Sequence, residues 1–192
     1  MAIELDTPRA AGLPVVKRTA IGEKYTGMLI RYQQRDVLKD GAPVMNDKGK
    51  PRQELVVTAM TIESTAPAGI GDHQEIPQPG DLVRVILRGR SFAEWIQQKN
   101  ELGGPLQVGD VIEQITNSAQ VYDANGKPMG KELTTQAEVA AVPRGRSVGV
   151  YGPVTLRRAT AAEAALVAQA EQAYHATAKA IVLDDDADND PF

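Results

Sequence analysis

Apolar positions fall along this chain in two rhythms. In residues 24–32, 54–62 and 81–89 they are closely spaced and rich in β-branched, aliphatic and aromatic types, which predicts three strands. The third alternates Val83, Val85 and Leu87 with Arg84, Ile86 and Arg88, so one face is apolar and the other is lined by arginine, a row that Arg90 continues. With no carboxylate beside them in sequence, these arginines are expected to meet water or phosphate, because burying them unpaired costs too much. Residues 91–100 change rhythm: Phe92, Trp95, Ile96 and Lys99 share helical spacing, and Ser91 with Glu94 three residues on forms a capping box. One short helix is predicted there, its Phe92 and Trp95 plugging the end of the strand layer. Two further strands are predicted at 111–122 and 131–139.

The polar stretches between these segments read as connections. Residues 33–53 hold Asp40-Gly41, Asn46-Asp47-Lys48-Gly49 and Lys50-Pro51, the turn chemistry of a long exposed loop or hairpin; residues 123–130 repeat the wording Gly-Lys-Pro in a shorter turn. Residues 1–22 read as an arm that pairs at an edge, and the basic segment 144–158 offers one more strand. Thr160 and Glu163 form a second capping box ahead of an Ala-rich helix running to about Ala180, whose stripe of Leu166, Ala170, Ala173 and Tyr174 is expected to pack on the strands or on a second copy. The expected division is an arm (1–22), a β domain (23–158), a helix (159–181) and a tail (182–192). Three strands, a helix and two strands give the element order of an OB-fold: a mainly β, five-stranded, partly open barrel with a short helix between strands three and four. That fold binds oligonucleotides across strands two and three and through loops one-two and four-five.

Composition narrows the function classes. The 192 residues suffice for one well-buried domain with appendages, and 42% hydrophobic and 24% charged residues are ordinary for a soluble protein. Apolar runs are too short to cross a bilayer and no secretory signal opens the chain, so a cytoplasmic protein with no membrane partner is expected. There is no cysteine, His73 and His175 stand alone, and no phosphate loop or metal-spaced cluster occurs; neither catalysis nor a metal or cofactor is expected.

Net charge is -4, from 21 basic and 25 acidic residues, which argues against a nucleic-acid binder until the distribution is considered. Five of the acidic residues lie in the last nine positions, leaving a nearly balanced body in which a cationic footprint must come from clustering on one face. The candidates for it are Arg31, Lys48, Lys50, Arg52, Arg84, Arg88, Arg90, Lys127, Lys131, Arg144 and Arg146, with Tyr25, Tyr32, Tyr122 and Tyr151 as rings on which bases stack. Tyr25 and Tyr32 are an odd number apart and face opposite ways unless Gly27 bulges.

The closing stretch Asp184-Asp185-Asp186-Ala187-Asp188-Asn189-Asp190-Pro191-Phe192 is too charged to join a core and offers its terminal Phe outward. Its order, an Asp run, then Pro, then a final Phe, resembles the acidic tip of bacterial and phage single-stranded DNA-binding proteins. This chain departs from the pattern with Asp190 where an apolar residue usually precedes the Pro, and with a helix where a low-complexity linker usually lies. The resemblance implies a phage-type, oligomeric protein that coats single-stranded DNA in replication, recombination or repair. It also implies that Asp184, Asp185, Asp186, Asp188, Asp190, Pro191 and Phe192 recruit replication or recombination proteins. The alternative is a phage structural or assembly protein with a small β-barrel and no affinity for DNA.

Overall fold

The computed structural model describes residues 12–46, 48–70, 73–169, 171–172 and 174–176; the acidic tail lies outside them. Thirteen strands occur among the described residues, namely β1 (Val15–Val16), β2 (Lys24–Asp36), β3 (Leu38–Lys39), β4 (Ala42–Pro43), β5 (Gln53–Ser64), β6 (Ala68–Ile70), β7 (His73–Glu75), β8 (Leu82–Arg88), β9 (Val111–Ile115), β10 (Ser118–Tyr122), β11 (Pro128–Leu133), β12 (Ser147–Tyr151) and β13 (Val154–Arg157). Helix α1 (Gly89–Glu101) follows β8, α2 (Gln136–Ala140) follows β11, and α3 (Ala161–Ala164) opens the C-terminal helical region.

The molecule is mainly β, and its principal sheet is open, mixed and eight-stranded rather than a closed five-stranded barrel. Its order is β13-β9-β2-β5-β8-β1-β6-β7, with a separate sheet β11-β10-β12 and a small hairpin β3-β4. The barrel expectation undercounts because the Pro- and Gly-rich segment after β5 forms the β6-β7 pair and the N-terminal arm supplies β1. Far from capping an edge, β1 lies inside the sheet, parallel to β8 and antiparallel to β6.

One face of the sheet and α1 enclose the core, in which Tyr25, Leu29, Leu55, Val57, Val83, Val85, Leu87, Ile112 and Leu156 pack around Trp95. Tyr32 lies against it, its ring centroid 5.7 Å from that of Trp95. Both tyrosines reach the same side because β2 carries an extra residue at Ile30, where Leu29 pairs with Ala59 and Arg31 with Thr58. The parity switch is thus not at Gly27, whose bare Cα leaves room for the Tyr25 hydroxyl. On the opposite face a second cluster, Met28, Ile30 and Met60, is covered by Val167 and Tyr174 from the C-terminal helical residues.

Helix boundaries differ from the sequence expectation: the Ala-rich stretch expected as one helix to about Ala180 breaks after α3 at Ala164, helical residues resume at 167, residues 177–180 lie outside the described ones, and two other boundaries shift. Helix α1 begins at Gly89, with Arg88 in the N-cap position and no side-chain cap, so Ser91 is a buried helical residue and no capping box forms there. Residues 131–139 do not make one strand: β11 ends at Leu133, and Thr135 with Glu138 builds a complete capping box that starts α2. The box at Thr160 and Glu163 forms as read, starting α3.

Candidate nucleic-acid interface

A groove of about 1010 Å³ runs between the 37–53 hairpin, the β8-α1 junction and the β10-β12 pair. Four arginines line it, Arg18, Arg52, Arg88 and Arg90, together with the rings of Phe92, Tyr122 and Tyr151; among the described residues no Asp or Glu lines it. Pairing explains the assembly. In the β10-β12 ladder Gln120 stands opposite Gly149 and Ser118 opposite Tyr151, so Tyr122, Gln120, Gly149 and Tyr151 share one face. A Cβ at Gly149 would sit 3.1 Å from the Tyr122 ring, tighter than an ordinary contact.

Tyr151 anchors the middle of the wall. Its hydroxyl donates to Glu94, and the other Glu94 oxygen accepts from the backbone N–H of Val154 at 3.1 Å. Glu94, read from sequence as a capping residue, instead joins α1 to the β12-β13 turn. Burial first, and then the bond to Glu94, push the Tyr151 phenol up to about 12, so it stays a neutral donor across the physiological range. Arg90, carried onto the first turn of α1 by the early helix start, lies over the Tyr151 ring with its guanidinium carbon 4.1 Å from the centroid. It also pairs with Glu94 at 3.4 Å.

The other arginines are held to different degrees. Arg18 donates to the Gly152 carbonyl at 3.1 Å, and burial lowers its pKa while the phenol and carboxyl groups of Tyr151, Glu23 and Glu94 oppose that shift. It was absent from the sequence candidates because it lies in the N-terminal arm, far from every basic cluster in the chain order. Arg88 is paired to Glu54, which stands directly opposite it on β5. The arginine face of β8 therefore does have a carboxylate beside it, supplied by the neighbouring strand. Arg52 is exposed and, among the described residues, has no carboxylate partner.

Five of the sequence candidates meet in the groove: Arg52, Arg88, Arg90, Tyr122 and Tyr151. Lys48 and Lys50 lie exposed near the tip of the hairpin whose base forms one wall, and Lys127, Lys131, Arg144 and Arg146 lie exposed beyond the β10-β12 wall. Lys131 faces Glu138 at 3.8 Å, and Arg146 contacts the Met129 sulfur. Arg31 and Arg84 are on the sheet face away from the core, where Arg31 donates to the Tyr174 hydroxyl at 3.2 Å and Arg84 to the Leu13 carbonyl at 3.1 Å. Burial, and then the nearby charge of Arg35, lower the Arg84 pKa. Tyr25 is fully buried and Tyr32 packs on Trp95 beneath Lys99, so neither offers a ring to this groove. The tail residues Asp184 to Phe192 lie outside the described residues. No helix among the described residues is long and apolar enough to cross a membrane.

No protein-family model, no curated protein and no solved structure matches this chain.

Proposed function

We propose that the chain binds single-stranded DNA without sequence preference, laying it along the groove between the 37–53 hairpin and the β10-β12 wall. The observation that carries this reading is the groove lining: four arginines and three aromatic rings, with no acidic side chain among the described residues. Guanidinium groups follow a phosphate backbone, while rings accept any base on their faces, and that combination is what sequence-tolerant single-strand binding needs. The order β2, β5, β8, α1, β9, with β9 returning to pair with β2, supports an OB-type element within the larger open sheet. Chemistry on DNA is no part of this reading. The acidic tail would then recruit replication or recombination proteins through Phe192, with its aspartates supplying the electrostatic part; here the support is the sequence resemblance alone.

Fluorescence anisotropy of a labelled dT oligonucleotide, titrated at about 50 and about 200 mM salt, tests this directly. Tight binding at low salt, weakening steeply at the higher one, is the expected result. Absence of binding at low salt overturns the reading and favours the structural or assembly alternative. An external label is required because Trp95 is 2% exposed and reports on the core.

A further inference from the structure

Glu54 is a carboxylate seated between the arginines of β2 and β8. Its side chain is 3% exposed, whereas those of Arg35 and Arg88 are 47% and 61% exposed. Both oxygens are engaged: Oε1 accepts from Arg35 Nε at 2.7 Å, and Oε2 accepts from Arg88 Nε at 2.6 Å. Register creates this trio, since Arg35 on β2 and Arg88 on β8 are each directly opposite Glu54 on the central strand β5. The next positions along the same face are apolar or neutral, with Val56 between Gln33 and Ile86. A carboxylate withdrawn this far from water is costly unless paired on both sides, and here it is.

We propose that Glu54 is a positioning residue for phosphate contact: it holds Arg88 in the groove and brings Arg35, outside the groove lining, into the same anion-binding track. This rests on the groove reading above. An arginine side chain on an exposed strand samples many rotamers, and fixing two of them before a ligand arrives removes that ordering cost from binding. Arg35 uses Nε on Glu54, leaving its terminal amino groups for a phosphate oxygen, whereas Arg88 brings both Nε and Nη2 to Glu54 Oε2 at 2.6 Å and leaves Nη1 for one. Both Nε atoms converge on one carboxylate, so the two guanidiniums form a joint cationic patch beside Glu54.

The inference is sharp because simple charge counting predicts the opposite sign. Removing a negative charge from a cationic face should tighten binding to a polyanion. If Glu54 positions the arginines, Glu54→Gln instead weakens binding of the labelled dT oligonucleotide by about tenfold at low salt, equivalent to ~1.4 kcal/mol. It also lowers the salt slope by about one phosphate contact. In the Arg35→Gln/Arg88→Gln background, Glu54→Gln then has no further effect on affinity. Unchanged or tighter binding by Glu54→Gln, in a chain whose circular-dichroism melt is intact, overturns the positioning role while leaving the groove reading in place. Absence of binding by the unaltered chain overturns the groove reading and this inference with it. Should Glu54→Gln fail to fold, Arg35→Gln keeps the test open, because Glu54 and Arg88 still pair. A loss of about threefold or more with a shallower salt slope supports the track, and no change in either overturns it.

Discussion

Two of the clefts among the described residues have linings that differ in kind. The groove of about 1010 Å³ is walled by arginine and aromatic side chains, whereas a cleft of about 580 Å³ at the β6-β7 end is lined by Leu13, Ile70, Ile76 and Pro77 with Glu75 and Asp81. Both lie against the same sheet, so the fold by itself does not decide which one suits a polyanion. Charge does: the larger groove gathers four arginines from three separate chain segments, while the smaller one presents carboxylates that repel phosphate. A net charge of -4 says nothing about this division, because it averages over both.

The contrast is broken most severely by altering the groove charge. Arg52→Glu combined with Arg90→Gln should lower oligonucleotide affinity by about a hundredfold at low salt, while Glu75→Gln in the other cleft should change it by less than about twofold. Equal effects from the two clefts, measured by the same anisotropy titration, would show that the binding is not localised. Tyr151→Ala tests the ring component and should weaken binding by about tenfold, within the range of about 1 to 3 kcal/mol per stacked base. A loss confined to the salt slope would mean that its ring only supports Arg90.

Two smaller changes separate folding from binding. Glu163 on α3 sits beside Arg157, which holds its carboxyl at about 2 against an ordinary value of 4.5. That pairing contributes stability above pH 4.5 and loses it as pH falls toward about 2, so the melting-temperature gap between Glu163→Gln and the unaltered chain should be full at neutral pH and close in acid. Affinity at neutral pH should not move. Thr135→Ala removes the cap of α2 and should cost about 1 kcal/mol in a denaturant melt, again leaving the oligonucleotide titration unchanged.

How much of this was legible in the chain depends on the range of the interaction. Strands β2, β5 and β8 announce themselves because alternation and β-branched content are local, and Thr160 with Glu163 is a cap wherever it occurs. Strands β6 and β7 hide in a Pro- and Gly-rich segment, since three residues of pairing leave no periodic signature. Thr135-x-x-Glu138 carries the same local capping pattern, yet it lies inside residues 131–139, which are expected as one strand. The candidate site is harder still. Glu54 meets Arg35 and Arg88 only through register, and the single extra residue at Ile30 decides which side of β2 each later side chain faces. Arg18 enters the groove from the arm, by a fold-back that no sequence pattern encodes.

The placement of β1 has a consequence for the order in which the molecule is made. Val15 is synthesised before its parallel partner on β8, at Arg84, which follows only after β2, β5, β6 and β7. Parallel pairing across so long a stretch is slow to close. The antiparallel ribbon of β2 and β5 is therefore positioned to form first, with β1 inserting between β8 and β6 afterwards. Until it does, the facing edges of those two strands stand open, and nascent chains on neighbouring ribosomes are exposed to strand exchange there.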